Sequence, residues 1–444
     1  MVRDMTKGNI TAHMLLYTVP LMIGNFFHLL YNTVDTVIVG QINGKQALAA
    51  IGAAGPVMNI LLFLLVGISL GSSILMSHNF GARDYDQLKK QFVTTLMGTV
   101  YFTIVISVVS FILCRNILVW TRTPEAIISQ AEGYLKIIIA GLIFSGVYNI
   151  LSGALRSIGN AMAPLIILII SSIMNIVLDL LFVGQWGMGI NGAAYATVIS
   201  QFFSALLGFL YIIWKVPYFK CGIRELKLDV RLLKKTISFS SVSAFQQTVL
   251  YVGRILVQSA VNMISVDAVA AFNISTIIDN YVLEPGNSLA SSLMIFTSQN
   301  MGAGRKERIA KGYRTVLVMG LVFNFVIAVV VFFFCKPLIG IFMGNADEGV
   351  VTEGMRYLQT MSMGYILCVF CNTFQGFFRG IGDLKVTLIA TTIQIPIRVF
   401  ISYAMVGQLG IKAIPLGIIV GWIFMIGFEG WQYVRRRKTF YLRR

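Results

Sequence analysis

SHNFGARD, residues 77–84, returns as SQNMGAGR at residues 298–305, 221 positions further along the chain. At the same shift, LAAIGAAGPVMNI from Leu48 falls on VAAFNISTIIDNY from Val269, with no gap between the two matches. Further on the shift becomes 223. GALRSIGN at 153–160 then falls on GFFRGIGD at 376–383, and VGQWG at 183–187 falls on VGQLG at 406–410. A chain of 444 residues that repeats over this distance is built from two like halves.

The material between the matches is apolar. Hydrophobic residues make up 57% of the chain and charged residues 12%, where soluble chains average about 45–50% and roughly 25%. Mean hydropathy is +0.80. Spans long enough to cross a bilayer are predicted at about 14–38, 51–76, 92–114, 134–155, 162–183, 190–213, 236–264, 270–298, 315–335, 357–378, 386–407 and 411–433. Six spans per half is an even number, so both halves enter the membrane with the same orientation. The expected fold is an all-α polytopic membrane protein of twelve transmembrane helices in two parallel-repeat six-helix lobes. The first lobe is 1–214, a basic cytoplasmic linker is 215–235, and the second lobe is 236–444. Parallel repeats of this kind are a transporter architecture, with a cavity between lobes that opens to one side and then the other.

Charge placement sets the orientation. The net charge is +17, and 26 of the 35 Lys and Arg residues fall on the N-terminus, every second loop and the C-terminus. The positive-inside rule puts those segments, both termini included, in the cytoplasm. The tail RRRKTFYLRR then reads as an anchor against anionic lipid rather than a nucleic-acid arm. The linker alternates charge with Leu and Val and is expected to lie on the membrane surface as an amphipathic helix. The first span runs too long for a signal-peptide core. The five cysteines show no paired spacing, and CVFC at 368–371 sits in mid-span, where buried inert thiols are expected. His13, His28 and His78 are dispersed, and no catalytic constellation forms, so no enzyme and no cofactor are expected.

The polar residues inside spans carry the functional reading. Asp35 lies in LLYNTVDTVIVG, residues 29–40. A carboxylate at that depth is expensive, which implies company or water. The fifth span supplies Asn175 and Asp179, four apart and so on one helix face. The sixth adds the Thr197 hydroxyl. Together these oxygens suit a small hard cation such as Na⁺, or two carboxylates sharing a proton. Pro20, upstream of Asp35 in the same span, removes a helical hydrogen bond and is a candidate hinge. Tyr31, Asn32, Met58, Asn59, Tyr148 and Asn149 are candidate cavity-wall residues for flat, partly apolar ligands. In the second half, the 223 shift puts Arg398 on Asn175 and Ser402 on Asp179, so a second cation site is not expected there. Asp279 and Glu284, the latter just before Pro285, either touch substrate or partner Arg254 and Arg398.

Over essentially its whole length the chain resembles the multidrug and toxic compound extrusion (MATE) family. The resemblance rests on the 6 + 6 layout, PLMIGNFFHLLYNTVDTVIVG in the first span, SHNFGARD, GALRSIGNAMAPL, and NIVLDLLFVG followed by GINGAAYATVIS. It implies an antiporter that exports organic, cationic or amphipathic compounds against inward Na⁺ or H⁺ flow. It also implies a first-lobe cation site at Asp35, Asn175, Asp179 and Thr197, with Pro20 as the kinking proline. The setting implied is the bacterial cytoplasmic membrane, and a monomer is expected. The family's NorM-type branch carries a Glu in helix 7 and an Asp in helix 10. Here those helices read SAFQQTVLYVG and GYILCVFCNTFQG, without a carboxylate, so a DinF-like member is expected. The alternative is a related flippase for lipid-linked sugar precursors. Such proteins carry a strongly cationic cavity, whereas only Arg254 and Arg398 lie inside spans here.

Overall fold

The computed structural model describes residues 2–222, 225, 227–342 and 347–442, and among these all regular structure is helical. The long helices are α1 (Ile10–Gly44), α2 (Gln46–Gly81), α3 (Tyr85–Trp120), α4 (Glu125–Ser157), α5 (Met162–Asp179) and α6 (Gly189–Lys215). They continue with α7 (Val230–Val261), α8 (Val266–Gly302), α9 (Lys306–Phe342), α10 (Glu348–Gly380), α11 (Leu384–Leu409) and α12 (Ala413–Leu442). Gly44, at φ 76° and ψ −170°, breaks the helix between α1 and α2. Through Pro20, which is buried, α1 keeps helical φ/ψ.

Among the described residues nine segments are long and apolar enough to cross a membrane, and the last of them, Leu384–Arg436, covers both α11 and α12. The helices α7 and α8 are long enough but carry more polar residues, among them Arg254, Asp279 and Glu284. Large apolar side chains stand exposed at helical spacing on α9, at Val318, Val322, Phe325, Val329 and Phe333. Such a stripe in water would be an aggregation liability, and in hydrocarbon it is the expected outer face. The linker holds no separate amphipathic helix among its described residues. It has a 3₁₀ turn at Pro217–Phe219, and α7 has already begun at Val230. Asp229 explains the early start, because its carboxylate caps the backbone N–H groups of Arg231 and Leu232 at 2.8 and 3.1 Å.

The sequence repeat has a backbone counterpart. Left-handed φ recurs at matched positions: Arg83 (60°) with Gly304 (69°), Gly159 (78°) with Gly382 (83°), and Gly187 (62°) with Gly410 (56°). Close helix approach recurs as well. A Cβ on Gly153 of α4 would meet Ser69 Oγ of α2 at 2.6 Å, and one on Gly376 of α10 would meet the carbonyl oxygen of Ala290 of α8 at 2.5 Å. Ser69 and Ala290 are themselves repeat partners at the 221 shift. Glycine at these two places lets the helix backbones touch.

The chain divides into two compact units. One holds the chain up to Asp4 and Val19–Ala244, and the other holds Met5–Thr18 and the chain from Phe245 on. In the second unit the SQNMGAGR segment, with Arg308 just after it, binds the N-terminal stretch. Gln299 Oε1 accepts from the Met5 N–H at 3.0 Å, Arg305 donates to the Thr6 carbonyl at 2.8 Å, and Arg308 donates to the Gly8 carbonyl at 2.9 Å. In the first unit Gln91 of α3 donates to Thr236 of α7 at 2.7 Å. Pro20 lies two residues after the point where α1 passes from one unit to the other.

Candidate functional site

In the first unit, α1 and α5 bring two acids together across 144 residues of chain. The carboxyl groups of Asp35 and Asp179 come within hydrogen-bonding reach of each other. Asn175 and Asp179 are buried on the same face of α5, one turn apart. Among the described residues no donor serves Asp35 Oδ1 or either oxygen of Asp179, and neither side-chain polar atom of Asn175 has a partner. Buried polar atoms are nearly always satisfied. Two facing carboxylates repel unless a proton or a cation sits with them. The donor set of two carboxylates, an amide oxygen and a nearby hydroxyl suits a hard cation or a shared proton.

The surroundings are aromatic and close. The Tyr31 phenol pairs with the Thr197 hydroxyl, and both acids act electrostatically on it. Tyr134, buried on α4, lies within electrostatic range of Asp35, Tyr31 and Asp179. Directly after Asp179 the helix widens into a π-helical turn, Leu180–Gln185. Such turns concentrate at functional sites because they re-aim side chains without ending the helix. Neither Tyr134 nor the π turn was anticipated from sequence. A tyrosine in an apolar run gives no periodic signal, and a widened turn leaves none.

The other wall candidates are placed individually. Met58 packs against the apolar core of this unit, and Asn59 is half-buried. Asn149 donates to the Ser145 carbonyl at 2.9 Å, one turn back on α4, and Tyr148 reaches the Pro164 carbonyl at 3.4 Å. The Asn32 side chain lies outside the described residues.

The second unit handles its acids differently. Asp279 is buried on α8, and both its oxygens are taken: Tyr357 Oη donates to Oδ2 at 2.9 Å and Tyr365 Oη to Oδ1 at 2.6 Å. Arg254 and Arg398 act on Asp279 at longer range. Glu284 accepts from Ser288 at 3.1 Å. A further acid, Glu429 of α12, is fully buried and was missed from sequence. Its Oε1 accepts from Gln375 at 2.6 Å, Gln375 accepts from Gln246 at 3.0 Å, and Arg379 donates to Gln246 at 3.1 Å. A Glu next to the basic tail reads as a surface charge in one dimension. Among the described residues no group of three or more His, Cys, Asp and Glu could hold a metal.

This helical layout is that of known transporters. A structure described as the outward-facing conformation of a multidrug resistance MATE family transporter matches with a TM-score of 0.91 at 22% identity, over 99% of this chain and 98% of that one. The MatE family profile matches residues 20–181 and 243–404, one match in each half. The chain belongs to the MatE family. It is therefore a multi-pass membrane protein of a transport family rather than an enzyme. Among relatives, "Probable multidrug resistance protein YoeA" of Bacillus subtilis is 27% identical over 98% of this chain and 96% of its own length. "Probable multidrug resistance protein NorM" of Thermotoga maritima is 23% identical over 92% and 87%. "Multidrug export protein MepA" of Staphylococcus saprophyticus is 21% identical over 93% and 91%.

Two of these names overturn the DinF-like expectation: NorM and MepA are of the classical type. The expectation rested on the lack of an acid in SAFQQTVLYVG of α7 and GYILCVFCNTFQG of α10. The structure shows why that criterion is weak. In this half α8 and α12 carry the buried acids, while α7 and α10 supply the amides and phenols that hold them.

Proposed function

We propose that this chain is a cation-coupled multidrug antiporter that exports organic, cationic or amphipathic compounds by alternating access. The observation that carries the reading is the Asp35–Asp179 pair, whose facing oxygens have no donor among the described residues. Proton or Na⁺ arrival there would cancel repulsion between α1 and α5, and departure would restore it. That difference can bias a two-state packing of helices. Asn175 and Thr197 complete the coupling site, and Pro20 serves as the hinge in α1. Tyr31, Met58 and Asn59, with Asn32, Tyr148 and Asn149, face cargo in this reading.

The architecture proposed is twelve crossings in two six-helix lobes, 1–214 and 236–444, joined by 215–235. Both termini lie in the cytoplasm of a bacterial inner-membrane monomer. The matched left-handed turns in the two halves support the repeat. The names of YoeA, NorM and MepA support the multidrug cargo.

The test is dye efflux from proteoliposomes under separately imposed Na⁺ and H⁺ gradients. One gradient should drive efflux in the wild type, and neither should do so in Asp35→Asn or Asp179→Asn at equal reconstitution. Full gradient-driven activity in both variants would remove the coupling site.

A further inference from the structure

Four helices of the second unit converge on a cluster that the coupling reading does not use. Arg254 comes from α7, Asp279 from α8, Tyr357 and Tyr365 from α10, and Arg398 from α11. The two guanidinium groups feel each other and both feel Asp279. Yet Asp279 has given both oxygens to the tyrosine hydroxyls. Among the described residues neither arginine lies within ion-pair distance of a carboxylate. Arg398 Nε is buried without a hydrogen-bond partner.

Two cations therefore stand against one anion, and each oxygen of that anion already accepts a tyrosine bond. Cations inside a membrane span are costly unless paired. The repeat does not account for them either, since the position matched to Arg398 in the first half is the neutral Asn175. A guanidinium presents planar, parallel donors that fit the oxygens of a carboxylate or a phosphate. The Tyr357 ring is buried edge-on against Phe272, with centroids 5.6 Å apart, which fixes the hydroxyl that holds Asp279.

We infer that Arg254 and Arg398, beside the Tyr357–Asp279–Tyr365 clamp, bind an anionic group, a carboxylate or a phosphate, carried by the cargo. That the ligand is cargo rests on the transport reading; the anion site itself rests on the second unit alone. Tyr357 and Tyr365 hold Asp279 away from the guanidinium groups, which leaves their donors for the ligand. With two arginines, the site fits one anionic group rather than a pyrophosphate chain.

Rhodamine B and its ethyl ester share one ring system and differ at a single carboxylate, so they probe this site directly. Binding of both dyes to the purified full chain is followed by fluorescence anisotropy. Arg398→Gln and Arg254→Gln should each weaken rhodamine B binding about tenfold or more, the usual scale for a lost charge-assisted hydrogen bond. The ester should change by less than about twofold on the same scale. Equal losses for both dyes, or no loss for either, would overturn the inference. A second measurement needs no variant: naphthoate should displace rhodamine B from the wild type and its methyl ester should not, and equal displacement by the two would also overturn it. In nanodiscs, phosphatidylglycerol should fail to displace the dye; displacement would give the site to a lipid headgroup and remove the cargo assignment. Absence of transport of either dye by the wild type would defeat the transport reading, while the binding ratio would still judge the anion site.

Discussion

Asp35 and Asp279 are both carboxylates inside membrane-length helices, and the protein treats them in opposite ways. Asp35 faces a second acid, Asp179, with no donor between them among the described residues. Asp279 is clamped by two phenols and flanked by two guanidinium groups. A satisfied acid can be permanent structure. An unsatisfied pair needs something to come and go, and that is the property a coupling site requires.

The largest effect should fall on this contrast. Asp35→Asn and Asp179→Asn should abolish gradient-driven efflux, whereas Asp279→Asn should leave ion stoichiometry unchanged in vesicles and lower thermal stability by about 1–3 kcal/mol through its broken tyrosine bonds. An altered stoichiometry in Asp279→Asn would erase the distinction between the halves.

Next comes the hinge proposed at Pro20, which the two halves do not share. Pro20 sits in α1 beside the point where that helix changes unit, and α7 contains no proline. Pro20→Ala should insert, purify and bind dye as the wild type does, yet turn over several-fold more slowly, as gating variants do. Paired affinity and vesicle-rate measurements decide it. An unchanged rate would make the proline architectural.

A smaller effect should separate the matched glycines. Gly376→Ala drives a methyl into the backbone carbonyl of Ala290, while Gly153→Ala meets the ends of two serine side chains, Ser69 and Ser73. Serine hydroxyls can rotate and a helix backbone cannot. Gly376→Ala should therefore cost about 1–3 kcal/mol, and Gly153→Ala less, read as melting temperatures of the purified variants. The reverse order would show that α2 and α4 are the tighter pair.

The smallest effect lies outside the spans. Lys89 bonds Glu225 at 2.6 Å and the Gly222 N–H adds a second bond at 2.7 Å, so the exposed Glu225 carboxyl is held below its usual range. A lowered folded-state value means the pair stabilises above the ordinary carboxylate range and loses that contribution as pH falls through the lowered value. Exposed pairs contribute little. Glu225→Gln should barely move the melting temperature at pH 7, and any difference from the wild type should vanish in acid. A large loss at neutral pH would give the linker a structural weight that its exposure denies.

Much of the fold was legible because it is written in one dimension. Hydropathy marks long helices, and the repeat marks two halves, down to the turns where Arg83 and Gly304 take the same left-handed backbone. The candidate site was half legible. Asn175 and Asp179 are four apart on one helix, so their shared face follows from periodicity alone. Tyr134, Glu429 and the π turn gave no such signal. The branch was misread because the acid-free stretches SAFQQTVLYVG of α7 and GYILCVFCNTFQG of α10 say nothing of the acids that α8 and α12 contribute to the same interior.

The sequence alone determined that this chain crosses a membrane many times, that it is a doubled structure, and that a few acids and two arginines interrupt its apolar stretches. Those facts follow from composition, period and the cost of burying charge, none of which needs coordinates. Only the tertiary structure decided which of these groups meet. Asp35 finds Asp179 because α1 packs near α5, and Asp279 finds Tyr357 and Tyr365 because α8 packs on α10. Partners far apart in the chain are chosen by helix packing, and packing is set by the summed fit of many side chains rather than by any local pattern.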